Sequence, residues 1–296
     1  DSWARLSLPE GCDPQSIKDG AFASLRDRLY LYGTHLLTDE AGLDASKGCL
    51  WRYEPYGDFW EQLEIPMPNG AEGICALGDE LFVVGGNVFD AQLEGAPADG
   101  DGAYNGGFYK ADLARGALVR VEGKLPEDAA MVNTKAAAGK NRMYIYAEID
   151  ESYYEDTGGT PAGGVSYSKT ASGGVLFRVA YDGAENKITY EELTNILNES
   201  LGDDLRTDYE YKMGGDVPGE HFAIAGLDTG VAIIGSSVNG EDVHIIYDTD
   251  EKAVLYDRAT CYHKAFDPIA AFSGGRLYVI GYNGTEPDIM YFRSQE

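Results

Sequence analysis

One short pattern returns five times along this chain. It is an aliphatic-aromatic run that often ends in glycine: Arg28-Leu-Tyr-Leu-Tyr-Gly33, Leu81-Phe-Val-Val-Gly-Gly86, Arg142-Met-Tyr-Ile-Tyr-Ala147, Val231-Ala-Ile-Ile-Gly235 and Leu277-Tyr-Val-Ile-Gly281. Self-similarity spaced by tens of residues is the signature of an array of equivalent units, each too small to bury its own apolar face. The repeat therefore specifies a scaffold, and chemistry must come from what is grafted onto it. The 38 glycines and 21 tyrosines suit many short strands joined by tight turns.

Each unit reads as four strands, a to d. Strand a is small and apolar (Ala21–Leu25, Gly73–Leu77, Thr134–Ala138, Phe222–Gly226, Ile269–Phe272). A turn rich in Gly, Asp or Asn leads into b, the repeated strand, as expected of a hairpin. Strand c alternates aromatic and polar residues (Cys49–Tyr53, Gly107–Lys110, Val175–Val179, Val243–Tyr247, Ile289–Phe292). Strand d follows in four units (Trp60–Pro66, Leu118–Pro126, Ile188–Leu193, Ala253–Asp257) and is missing from the fifth. The N-terminal Ser2-Trp-Ala-Arg-Leu-Ser-Leu-Pro9 has the form of Phe59-Trp-Glu-Gln-Leu-Glu-Ile-Pro66, so it is expected to supply that strand. Pairing the first strand with the last unit closes a ring and removes exposed edges.

The hydrophobic run into Gly85-Gly86, the following Tyr109, and the Trp60 strand ending in Pro66 resemble kelch repeats. The resemblance spans the chain in degenerate form, since only one unit keeps the double glycine. It implies an all-β fold: a β-propeller of four-stranded antiparallel blades, one domain over residues 1–296. Five blades are counted. The interval from Met143 to Val231 is 88 residues, against 53 from Arg28 to Leu81 and 46 from Val231 to Leu277, and has room for a sixth. Asp150–Gly174 lacks an aliphatic strand, which favours five.

In such blades the a–b and c–d turns lie at one end, and the b–c loops and the crossings to the next blade lie at the other. The long connections are nearly all of the second kind: Thr34–Lys47, Asn87–Gly106 and Ile149–Gly173 as b–c loops, and Asn195–Glu220 as a crossing. Loops longer than about 12–15 residues are uncommon unless functional or disordered. Gathered on one face of a rigid scaffold, they suit recognition. The candidate ligand-binding residues are Asp90, Asp99, Asp101, Tyr104, Asn105, Tyr153, Tyr154, Asp156, Tyr167, Tyr209 and Tyr211. Tyrosine offers contact area at low entropic cost together with a hydroxyl. With Asp and Asn it suits sugars or a protein surface.

Charge and motif content narrow the remaining classes. Lys and Arg number 23 against 50 Asp and Glu, a formal net charge of −27. Nucleic acid and anionic membrane both need a basic surface and are not expected partners. No apolar run reaches the length of a membrane span. The chain opens on Asp1 without a recognisable export signal, which reads as a mature or partial product, and further domains of a longer parent chain are expected partners. Cys12, Cys49, Cys75 and Cys261 form no CxxC, and their even number allows two disulfides or isolated buried thiols. Asn198-Glu-Ser200 and Asn283-Gly-Thr285 match the glycosylation acceptor pattern.

No cofactor is expected. Asp99-Gly-Asp101-Gly and Asp203-Asp204 carry the hard oxygen ligands that suit calcium, without the twelve-residue loop pattern. His35, His221 and His263 fall in units that a closed ring makes neighbours, and three imidazoles suit zinc or copper; His244 lies within a strand and reads as structural. No GxSxG or phosphate-binding glycine loop occurs. Some kelch-like propellers are copper oxidases or sialic-acid epimerases, but the Tyr-Cys and His centre of the former cannot be assembled from this sequence.

The expectation is a non-catalytic recognition module, extracellular or at the cell surface, binding a carbohydrate or protein ligand. The alternatives are a carbohydrate-active enzyme with acids at the channel mouth, and a structural scaffold module of a larger surface protein.

Overall fold

The structure is a computed structural model. It describes residues 9–10, 21–38, 44–68, 73–85, 107–123, 125, 130–150, 174–193, 222–236, 242–248, 253–256, 266–273, 276–283 and 286–293. These are strands and turns, with no helix among the described residues. The strands pair in chain order. Sheet 1 is β1 (Ala21–Leu25), β2 (Arg28–Thr38), β3 (Asp44–Glu54) and β4 (Phe59–Leu63). Sheet 2 is β5 (Gly73–Leu77), β6 (Glu80–Val84), β7 (Phe108–Asp112) and β8 (Ala117–Arg120). Sheet 3 is β9 (Ala130–Ala138), β10 (Met143–Asp150), β11 (Gly174–Asp182) and β12 (Lys187–Glu192). Sheet 4 is β13 (Phe222–Gly226), β14 (Gly230–Ser236), β15 (Asp242–Asp248) and β16 (Ala253–Tyr256). Sheet 5 has three strands, β17 (Phe266–Ser273), β18 (Arg276–Asn283) and β19 (Glu286–Arg293).

The five units expected from the repeat are thus five consecutive meanders, and the fifth lacks a d strand among the described residues. The segment expected to complete it, Ser2–Pro9, lies outside the described residues apart from Pro9. One expected loop is corrected. The sequence pattern places a b–c loop at Thr34–Lys47, yet β2 and β3 stay paired through Thr34↔Gly48, His35↔Lys47 and Thr38↔Asp44. The antiparallel ladder outruns the apolar pattern there, because backbone hydrogen bonds do not need apolar side chains. The strands form two compact units, Asp1–Ala130 and Met131–Glu296.

Turn chemistry repeats from sheet to sheet. The c–d turns close on Asp58, Gly116 and Asn186, all with positive φ (51°, 65° and 49°) and each immediately before strand d. Asp, Gly and Asn are the residues that enter this left-handed region most readily. Tyr53 donates its hydroxyl proton to Asp58 Oδ1 (2.6 Å), and Tyr181 does the same to Asn186 Oδ1 (3.1 Å). Asp112 and Asp182 open their turns alike, each accepting from two backbone N–H groups, those of Ala114 and Arg115 and of Ala184 and Glu185. Cross-strand ion pairs recur on c and d: Arg52 faces Glu61 and Arg178 faces Glu191.

In the first unit, one face of sheet 1 (Tyr30, Tyr32, Leu50) packs with Ile74, Leu81, Val83, Tyr109 and Leu118 of sheet 2 in a single apolar cluster. Burying a side chain such as Leu81 contributes about 1.5–3 kcal/mol relative to leaving it exposed. The other face of sheet 1 buries Leu31, Cys49 and Trp51. In the second unit Ala225, Ala232 and Leu277 join sheets 4 and 5.

Candidate recognition site at the loop end of the sheets

Strand order and register fix which end of each sheet every connection leaves. The pairs Leu25↔Arg28 and Leu77↔Glu80 close the a–b turns, and Glu54↔Phe59, Asp112↔Ala117 and Asp182↔Lys187 close the c–d turns. These lie at one end, the turn end. At the opposite end, the loop end, the last pairs are Val84↔Phe108 in sheet 2 and Glu148↔Gly174 in sheet 3. Residues 86–106 and 151–173 therefore both connect b to c at a loop end. Strand β12 also runs towards that end, so residues 194–221 leave the same end of sheet 3 as residues 151–173.

Neighbouring sheets within each unit share this polarity. Arg26 in the first a–b turn bonds Asp79 in the second (Nε to Oδ1, 2.9 Å). The pair is exposed, yet the guanidinium holds the Asp79 carboxyl below its usual range. In the second unit the turn ends of β9 and β13 touch through glycine. A Cβ on Gly226 would lie 2.2 Å from the Ala138 carbonyl carbon, and one on Gly139 would lie 2.5 Å from the Leu227 oxygen. Strands a of sheets 3 and 4 thus approach backbone to backbone.

All eleven candidate residues fall in these long connections and lie outside the described residues: Asp90, Asp99, Asp101, Tyr104 and Asn105 in 86–106, Tyr153, Tyr154, Asp156 and Tyr167 in 151–173, and Tyr209 and Tyr211 in 194–221. Asp203, Asp204, His221, His263, Cys12 and Cys261 are outside as well. His35 and His244 sit on β2 and β15, opposite Lys47 and Ile234. Among the described residues, no group of three or more His, Cys, Asp or Glu is placed to hold a metal ion.

The described side chains near the loop ends are mostly supports. Tyr32 donates to the Pro68 carbonyl (2.7 Å) and so pins the crossing out of sheet 1 over Gly48, where a Cβ would lie 2.3 Å from the same oxygen. The Tyr109 ring lies over Gly107, at the start of β7, and burial pushes its phenol up to about 12. It stays neutral at physiological pH. Cys75 is buried on β5 and its thiol is likewise pushed up to about 12, which makes it a poor nucleophile; Cys49 is a buried thiol that accepts from Gln62 Nε2 (3.2 Å). One aromatic at a loop end went unnoticed in the sequence. Phe22, near the start of β1, is 40% exposed. Its signal is phase: Ala23 and Leu25 are buried, so Phe22 and Ser24 point the other way.

No protein-family model matches the sequence. Kelch-like protein 4 of Homo sapiens is 46% identical over 39 residues, 13% of this chain and 5% of that protein. Among solved structures, that of YjhT overlaps 100% of this chain and 86% of its own with a TM-score of 0.60 at 11% identity. That of the polysaccharide lyase Uly1 overlaps 93% of this chain and 58% of its own, with a TM-score of 0.49 at 10% identity. The likeness to YjhT is one of fold. Together with the consecutive four-stranded antiparallel sheets, it makes the fold class of this chain a β-propeller.

Proposed function

We propose that this chain is a single kelch-like propeller domain that acts as a non-catalytic recognition module, binding a carbohydrate or protein ligand through the long connections at the loop ends of its sheets. One observation carries this reading. The two long connections 151–173 and 194–221 leave the same end of sheet 3, and 86–106 leaves the equivalent end of sheet 2. Those connections hold the Tyr, Asp and Asn residues suited to stacking and hydrogen bonding. The short stretch shared with Kelch-like protein 4 supports the repeat type. The net charge of −27 and the tyrosine-rich loops support an exported or surface-attached setting, with further domains of a parent chain as neighbours. No residue is assigned to chemistry.

The test is a glycan-array screen of the chain, run with calcium and with chelator, beside an assay for product release from each bound glycan. Selective binding without turnover is the expected result, and loss in chelator would place a cation at the site. A blank array directs the reading to a protein ligand. Product release would overturn the non-catalytic assignment.

A further inference from the structure

A second surface lies at the opposite, turn end of sheet 1. The c–d turn Pro55–Asp58 and the start of β4 expose two large aromatic side chains, Tyr56 (102% exposed) and Phe59 (52%). The sister turns are built alike, with a left-handed closing residue before strand d. Yet they carry Leu113-Ala-Arg115 and Gly183-Ala-Glu185 where the first turn carries Pro55-Tyr-Gly57. Turn geometry therefore does not require the aromatics.

Local contacts hold the turn that carries them. Pro55 fixes its own φ. The Phe59 ring covers Gly57, where a Cβ would lie 2.5 Å from ring carbon Cε1. Tyr53 and Trp60 pack across the hairpin with ring centroids 5.2 Å apart, and the Tyr53 hydroxyl ties down Asp58. Beside the aromatics, β4 is the outermost strand of its sheet among the described residues.

Charge selects the occupant. From Tyr53 to Glu64 the chain carries Glu54, Asp58, Glu61 and Glu64 and no Lys or Arg. The neighbouring Arg28 and Arg52 are engaged by Glu54, and Arg52 also by Glu61 (2.6 Å), so the carboxylates outside these pairs are Asp58 and Glu64. A second copy of a chain with net charge −27 would be repelled. We infer that the Tyr56–Phe59 turn and the edge of β4 form a docking surface for an extended, lysine- or arginine-rich polypeptide segment. Its cations meet the two ring faces and the Asp58 and Glu64 carboxylates, and its backbone adds to the edge of β4.

The test is titration of the whole chain with a short peptide alternating Lys and Val, and with a Glu-Val counter-probe, at about 0.15 M salt, where diffuse attraction is screened beyond about 8 Å. The comparison is with Tyr56→Ser/Phe59→Ser, which removes no charge, and with Tyr190→Ser, which removes an exposed aromatic elsewhere. The double variant is expected to bind the Lys-Val peptide about tenfold more weakly, from the loss of two cation–π contacts. Tyr190→Ser and loop-end variants such as Tyr153→Ala should bind it as the native chain does. Tyr56→Ser alone alters a fully exposed side chain, so it keeps the test open should the double variant not fold; about a threefold loss is expected. Equal affinity in native and variant chains, or a glycan signal abolished by Tyr56→Ser, would overturn the inference.

Discussion

At the scale of single residues, close backbone approach and burial set the sharpest constraints. Gly226 sits where a Cβ would fall 2.2 Å from backbone of β9, and no side-chain rotation relieves that overlap. Gly226→Ala should therefore cost about 1–3 kcal/mol or more, read as a lower urea midpoint. Burial makes a different prediction for Cys75 and Tyr109. Both groups titrate higher in the folded chain, at about 12, than their ordinary values of 9.0 and 10.0. Folding thus favours their protonated forms. The stability they contribute is complete below pH 9 and is lost as the pH rises from 9 towards 12. Urea unfolding across that range should show a decline that Cys75→Ala together with Tyr109→Phe makes shallower. An unchanged slope would show that neither group drives it. Exposure was harder to foresee than burial. Phe22 and Phe59 look like core residues in the sequence, because an aromatic beside a strand pattern is usually buried; only phase or turn position shows otherwise, and Tyr56 lies in the turn Pro55–Asp58 itself.

At the scale of elements, the strands were legible wherever apolar residues alternate. Arg28–Gly33, Leu81–Val84 and Leu277–Gly281 pair much as their pattern requires. Legibility failed where pairing continued without that pattern. The β2–β3 hairpin runs on to Thr38 and Asp44 through residues that read as a loop, and β9 begins at Ala130 rather than Thr134. The turns give this scale its test. Asn186 holds a left-handed conformation and accepts from Tyr181. Asn186→Ala should cost about 1–2 kcal/mol, since alanine is strained there, whereas Asn186→Gly, free of that strain, should cost less. Equal losses in the two variants would assign the whole effect to the Tyr181 hydrogen bond.

At the scale of the molecule, one strand pattern recurs from sheet to sheet, and the lengths of the connections give the two ends of a sheet different roles. Short turns at one end carry the repeated capping chemistry, with one turn diverted to display Tyr56 and Phe59. Long connections at the other end of sheets 2 and 3 carry the residues proposed to bind ligand. Those positions were legible as loops because glycine, serine and tyrosine replace the aliphatic run there. The ligand was not legible, since tyrosine and aspartate serve sugars and proteins alike. The most direct measurement compares ligand binding by the native chain with that of Tyr104→Ala and Tyr153→Ala/Tyr154→Ala, scored on the same array and checked for unchanged urea midpoints. Selective binding that these substitutions abolish while the fold stays intact is the predicted result. Selective binding that survives all of them would contradict recognition at the loop end.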